Sequence, residues 1–199
     1  NSFLNNNIHK EGINKIDKFD IDYANKLGYK IKLLGVAELI NNKIYQRVHP
    51  TLINKNSYIA SIDGVLNAVI VDGKPVGKSV IQGEGAGPEA TTSALVSDIS
   101  SVLRGNIKFP FSISNKERRK LSYKRIDDRY FSAYLRFEVK DKPGVLSNIT
   151  NVFSKCNVSI KRLIQNPDKT KKFSSIIIIT HNSKNKSLIK IIKKIEKKN

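Results

Sequence analysis

The sequence predicts an α+β protein: a unit built on two β-hairpins and two helices, then a smaller unit in the order β-α-β-β-α, a split βαβ arrangement lacking its last strand. Three observations predict this. Apolar runs of strand length flank Asn41-Asn42 and Asp72-Gly73-Lys74. The stretch from Pro88 to Leu103 carries apolar residues at helical spacing. From Tyr130 onward, alternation of period 2 exchanges with spacing of period 3.6.

Taken in order, Asp20 to Leu27 (DIDYANKL) reads as a short helix capped by Asp20, with Ile21, Ala24 and Leu27 on one face and Gly28 closing it. Ile31 to Ile40 and Ile44 to Val48 form a hairpin about Asn41-Asn42, and Val65 to Val71 pairs with Val76 to Gln82 about Asp72-Gly73-Lys74. Gly83 to Gly87 (GEGAG) leads into the helix from Pro88 to Leu103. Proline suits its first position, Ala94, Leu95, Ile99, Val102 and Leu103 form its apolar face, and Gly105 ends it. From Asn106 to Arg129 the pattern weakens around Pro110 and the charged run Lys116 to Lys120, which marks a connector. The domains are therefore 1–105, a connector 106–129, and 130–199.

In the last unit Leu135, Phe137 and Val139 alternate with charged residues, as in a strand with one buried face. Asp141-Lys142-Pro143-Gly144 turns the chain into a helix whose Val145, Ile149, Val152 and Cys156 share a face, with Leu146 and Phe153 beside them. Val158 to Ile164 and Phe173 to Thr180 read as strands joined by a polar turn from Asn166 to Lys172. Ser183 to Lys198 reads as an amphipathic helix with Leu188, Ile191, Ile192 and Ile195 inward.

Composition narrows the function. A net charge of +19 invites a nucleic-acid reading, but 28 Lys stand against 8 Arg, and Arg is the residue suited to bidentate phosphate and guanine contacts. Lys, Ile and Asn together supply 28, 27 and 20 residues. A/T-rich coding produces that enrichment, so the charge reads as a solvated basic surface and no nucleic-acid partner is expected. One cysteine, Cys156, excludes a disulfide scaffold, and His9, His49 and His181 are too dispersed for a metal site. No apolar run has membrane-spanning length and Asn1 opens no signal peptide, so a soluble cytoplasmic protein is expected, with no membrane partner.

Gly85-Ala86-Gly87-Pro88-Glu89-Ala90 fits G-x-G-x-x-A between a strand and a helix, but the second parallel strand with its acidic end does not follow. The residues alone leave two readings: a tight strand-to-helix turn, or a turn that lets a ligand approach backbone N–H groups at the positive end of the helix dipole. Asp141 to Leu146 (DKPGVL) reads first as helix-start chemistry, with a small-molecule loop as the alternative. No Ser/His/Asp or Cys/His constellation stands out.

Read together, EGI (Glu11 to Ile13), DIDYANKLGYKIKLLGVAEL (Asp20 to Leu39), RVHPTLI (Arg47 to Ile53), ASIDGVLNAVIVDGKPVG (Ala60 to Gly77), GEGAGPEATTSALVSDI (Gly83 to Ile99) and FEVKDKPGVLSNI (Phe137 to Ile149) resemble the C-terminal half of a homoserine dehydrogenase. The resemblance implies α+β architecture: part of the family's mixed-sheet catalytic and dimerisation domain, then a ferredoxin-like ACT regulatory domain without its fourth strand. It implies interconversion of L-homoserine and L-aspartate 4-semialdehyde with NADP or NAD, on the route to threonine and methionine. It also implies an amino-acid effector, threonine by analogy, and a homodimer or homotetramer whose subunit contact uses the two hairpins.

Site residues carry over narrowly. Gly83, Gly85 and Gly87 match the family's glycine loop, whose last glycine contacts the cofactor, so Gly87 bears that expectation most directly. Asp141, Gly144 and Val145 match the loop where ACT domains bind amino acids between subunits. The family's catalytic Asp and Lys match positions upstream of Asn1; Asp22 and Lys26 have a similar spacing but fall on the following helix, so no catalytic residue is assigned within this chain. With neither a Rossmann half nor an initiating Met, the chain reads as a fragment truncated at both ends, inactive alone. The competing reading is a stand-alone ACT-type amino-acid-binding regulatory protein.

Overall fold

The computed structural model describes residues 8–106, 114, 116–117, 121–167 and 173–197. Pro110, Arg118 to Lys120 of the charged run, and Asp168 to Lys172 of the polar turn lie outside the described residues. By internal contacts the chain divides into two compact units. One gathers the described residues up to Glu11, then Gly35–His49 and the described residues from Ser122 onward; the other holds Gly12–Leu34 and the described residues from Pro50 to Leu121. The first hairpin contributes to both.

That hairpin is β2 (Tyr29–Ile40) and β3 (Lys43–Asn54), longer than the apolar runs suggested. Its two-residue turn has φ of 49° at Asn41 and 63° at Asn42. Positive φ at both positions is what a type I′ turn requires, and asparagine tolerates it better than other non-glycine residues. In the unit from Ser122 onward, β3 also pairs in parallel with β1 (His9–Lys10) and with β6 (Ser122–Tyr123), so the sheet is mixed. Neither short strand has enough residues to show a period, and neither was expected.

The rest of this unit is the predicted β-α-β-β-α. Strands β8 (Tyr134–Lys140), β9 (Ile160–Pro167) and β10 (Phe173–Thr180) form a sheet in the order β8-β10-β9, antiparallel throughout. Helices α3 (Val145–Lys155) and α4 (Asn185–Glu196) meet over it. Val139, Ile149, Val152, Phe153, Cys156, Ile176, Ile178, Leu188, Ile191 and Ile195 form one buried core. Ile177 and Ile179 point to the opposite sheet face yet are only 1% and 5% exposed, which is why the central strand reads as an unbroken run of isoleucines. Two expectations shift. Val158 is a buried core residue ahead of β9, which begins at Ile160. Ser183–Lys184 is not helical but forms β11, paired with β7 (Tyr130–Phe131), so that α4 starts at Asn185.

In the other unit, α1 (Lys18–Lys26) is capped by Asp17 rather than Asp20. Asp17 accepts from the Asp20 N–H at 3.0 Å and Asp20 accepts from the Asp17 N–H at 3.2 Å, a capping box that the spacing D-x-x-D conceals because either aspartate can serve as cap. Strands β4 (Leu66–Gly73) and β5 (Gly77–Glu84) pair from Leu66↔Glu84 to Gly73↔Gly77, which moves the turn to Lys74-Pro75-Val76. Helix α2 spans Pro88–Leu103 with proline in its first turn, as predicted. Its apolar residues are not covered: Leu95, Val96, Ile99, Val102 and Leu103 are 57–82% exposed. Val69, Val71 and Ile81 of the hairpin are exposed as well.

Candidate functional site

Strand β5 runs into the glycine turn, and the three glycines differ in what holds them. Gly85 donates its N–H to the Val65 carbonyl at 2.9 Å, and the space a side chain would take is filled by Asn67. Gly87 is the N-cap of α2 with φ 119° and ψ 152°, a conformation essentially restricted to glycine. A Cβ there would meet nothing within 4 Å. Gly83 has neither a positive φ nor a close neighbour, so the backbone makes no demand for glycine at that position. Gly83 still belongs to β5, opposite Asn67, and the whole stretch from Gly83 to Gly87 is exposed.

Among the described residues, the first turn of the helix that follows has donors without an acceptor. Thr91 returns both its N–H, at 3.1 Å, and its hydroxyl, at 2.8 Å, to the Gly87 carbonyl. Ahead of it, Pro88 has no N–H, and no side chain caps the helix. The N–H groups of Glu89 and Ala90 therefore point out of the first turn without an intrahelical acceptor. Glu89 places a negative charge beside them. A ligand group settling here would be a neutral acceptor, an amide carbonyl or a hydroxyl, in preference to a phosphate that Glu89 would repel.

In the other unit, the predicted effector residues share the loop from β8 to α3. Gly144 is the N-cap of α3 in the left-handed region, φ 86°, with open space where a Cβ would stand. Val145 opens the helix and packs on the core. Asp141 is exposed and accepts a hydrogen bond of 3.5 Å from Gln165 Nε2 on β9, a residue the sequence reading did not single out. The loop thus presents a carboxylate, a carboxamide and a helix N-terminus together, a set able to hold both ends of a zwitterion.

A third constellation was not anticipated. Glu38 on β2 receives hydrogen bonds from Arg47 Nη1 and from Arg129 Nη2, both at 2.6 Å and both to Oε2. The Arg129 guanidinium lies 5.1 Å from the centre of the Tyr45 ring, itself 7% exposed. Burial pushes the Glu38 carboxyl up, but hydrogen bonding and charge from Arg47, together with Arg129, outweigh it and hold the group below the usual glutamate range. Tyr45, Arg47, Lys124, Ile126, Arg129 and Phe131 line a shallow surface groove. Half of this cluster was legible: on a two-residue hairpin Glu38 faces Tyr45 and lies diagonal to Arg47. Arg129 is 91 residues from Glu38, and no local signal joins them.

Among the described residues no three His, Cys, Asp or Glu side chains come together as a metal site, and no helix is long and apolar enough to cross a membrane. Cys156 is free and buried. Asp22 and Lys26 lie on α1 and far from the glycine turn in sequence.

Comparison with known proteins gives a consistent result. The homoserine dehydrogenase family profile matches residues 2–100, and the ACT domain profile matches residues 133–198. The chain is 38% identical over 192 residues to a homoserine dehydrogenase of Neisseria gonorrhoeae and 34% identical over 186 residues to one of Helicobacter pylori. Among solved structures it resembles a homoserine dehydrogenase from Thiobacillus denitrificans, with a TM-score of 0.82 at 35% identity over 96% of this chain. It also resembles one from S. aureus, with a TM-score of 0.59 at 28% identity over 92% of the chain. In all four cases the chain spans 44% of the other protein's length.

Proposed function

The chain belongs to the homoserine dehydrogenase family and carries an ACT domain, and from that premise we propose that it serves an NAD(P)-dependent enzyme interconverting L-homoserine and L-aspartate 4-semialdehyde. Its share of that enzyme is one wall of the cofactor site and an amino-acid-sensing module. Residues 1–105 form the catalytic and dimerisation part, 106–129 the connector and 130–199 the ACT domain.

Gly87 carries the cofactor half of this reading. Its glycine-only conformation opens the start of α2 without any neighbour closing the space, while the Glu89 and Ala90 N–H groups remain to be satisfied. These residues fit a dinucleotide's uncharged polar edge, with Gly83 and Gly85 shaping the approach. When bound, NADP or NAD supplies or accepts the hydride. The chain's own part is to orient that group and to exclude water from one side. The acid/base lysine and the substrate-holding aspartate of the family are assigned to no residue of this chain.

In the ACT domain, Asp141 with Gln165 suits the ammonium of an amino acid, and the backbone at Gly144 and Val145 suits its carboxylate. Threonine is the proposed effector, held between subunits of a homodimer or homotetramer in the cytoplasm. The exposed apolar residues of α2 and of β4–β5 weigh against a stand-alone regulatory protein, because a self-contained unit buries such faces.

The test joins this chain to the Rossmann-bearing part of a related enzyme and follows homoserine-dependent reduction of NADP and of NAD. The joined protein turns over, the 199-residue chain alone does not, and Gly87→Val raises the cofactor KM at least about tenfold with a smaller change in kcat. Turnover by the chain alone would place the acid/base groups within it. An unchanged KM in Gly87→Val removes the cofactor role.

A further inference from the structure

We propose that Arg129 is a positioning residue that couples the ACT domain mechanically to the β2–β3 hairpin: its backbone is fastened to the start of α4 while its side chain grips Glu38 and lies on Tyr45. The backbone half is a set of short bonds. The Asn185 N–H, at the first residue of α4, donates to the Arg129 carbonyl at 2.9 Å, and the Arg129 N–H donates to Ile126 at 2.9 Å. The next two residues, Tyr130 and Phe131, pair with Lys184 and Ser183 directly before α4. Lys184 Nζ stands 3.6 Å from Asp128.

The side-chain half is as constrained. Nη2 is committed to Glu38 at 2.6 Å, and the ring of Tyr45 lies under the guanidinium at 5.1 Å. Nε is buried without a partner among the described residues, so the Nη2 bond to Glu38 and the contact with the Tyr45 ring are what fix the guanidinium. Arg47 holds the same carboxylate oxygen from the neighbouring strand, so the hairpin contributes the anion and a second cation to one joint. Inside the domain, Leu188, Ile191 and Ile195 of α4 share a core with Ile149, Val152 and Phe153 of α3, whose first turn is the Gly144–Val145 loop. A shift of α3 therefore reaches α4, and α4 cannot move without pulling on Arg129. Contiguous packed and bonded elements of this kind carry coupling, and the warrant for it is a measured coupling energy. That the signal originates at the effector loop rests on the function proposed above; the joint itself does not.

The experiment is a double-mutant cycle read by amide hydrogen exchange on the whole chain. Ile191→Val loosens the core beneath α4. In the otherwise wild-type chain it accelerates exchange of amides within Gly35–His49 by about two- to tenfold. In the Glu38→Gln or the Arg129→Lys background the same substitution accelerates exchange in α4 but leaves the hairpin within about 1.5-fold of its background rate. Equal acceleration of the hairpin in all backgrounds, or no response of the hairpin in any, overturns the proposal. Arg129→Lys keeps the charge, and unchanged exchange in β8, β10 and α3 shows that it keeps the fold, so loss of coupling there separates a joint from a merely stabilising ion pair. Threonine added to the wild-type chain separates the two readings: protection at 141–145 with no change at the hairpin overturns the joint, whereas no protection anywhere counts against threonine as effector and leaves the cycle to decide the joint.

Discussion

Asn67 lays its amide over Gly85: a methyl group on that glycine would stand 1.4 Å from Nδ2 of Asn67 and 2.6 Å from its Cγ. The second glycine of the turn is therefore demanded by packing within its own hairpin, while Gly87 is demanded by backbone conformation and faces open space. Gly85→Ala should lower stability by about 1 kcal/mol as Asn67 is driven from its position. Combining it with Asn67→Ala should recover most of the loss. Urea midpoints of the four proteins of this cycle decide the matter; additive losses would mean that Asn67 is not what excludes a side chain.

Gly87→Ala should behave differently. No neighbour obstructs the methyl, so removing a neighbouring side chain cannot rescue it. Its cost comes from φ 119°, where an alanine is strained by about 1–3 kcal/mol. The first turn of α2 should relax toward ordinary geometry, visible as faster exchange of the Thr91 amide, whose bond runs to the Gly87 carbonyl.

Acid should release the Glu38 joint. Its folded-state pKa lies below the ordinary value, so its contribution to stability is complete above the ordinary glutamate range and is lost as the pH falls through the depressed pKa. Stability measured from pH 7 downward should therefore fall less steeply in Glu38→Gln than in the wild type. At neutral pH the substitution should cost about 1–3 kcal/mol, since two partly buried arginines lose their shared acceptor. Parallel pH profiles would show that Glu38 is not held by the arginines in solution.

Core and surface substitutions should separate sharply. Ile191 is 0% exposed, and Ile191→Ala should cost about 2–5 kcal/mol through lost burial and a residual cavity. Leu103, 82% exposed at the end of α2, should tolerate Leu103→Lys within about 0.5 kcal/mol in the isolated chain. Chemical denaturation of both variants checks this. A large loss in Leu103→Lys would mean that α2 is covered in solution, by a second copy or by other polypeptide.

Much of this architecture was legible because its determinants are local. Pro88 and Gly105 bracket α2, paired asparagines specify the first turn, and the spacing of Ile149, Val152, Phe153, Leu188, Ile191 and Ile195 identifies the faces that form the ACT core. The errors were local as well. Asp17 and Asp20 compete for one cap, and β11 is two residues taken from the start of a helix-like pattern, because its pairing with Tyr130 and Phe131 outweighs the helical propensity of Ser183 and Lys184.

By itself the sequence determined the long strands and helices, the inward faces of α3 and α4 and the glycine at the start of α2, since propensity, periodicity and turn chemistry act over a few neighbouring residues. Only the tertiary structure decided that Glu38 is shared by Arg47 and Arg129, that Asn67 fills the space above Gly85, that Gln165 joins Asp141, and that the apolar side of α2 is left bare. Those facts depend on which distant segments the chain brings together, and the cost of closing a loop grows only slowly with its length. A partner 91 residues away is therefore nearly as accessible as a near one, and nothing in the intervening sequence announces it.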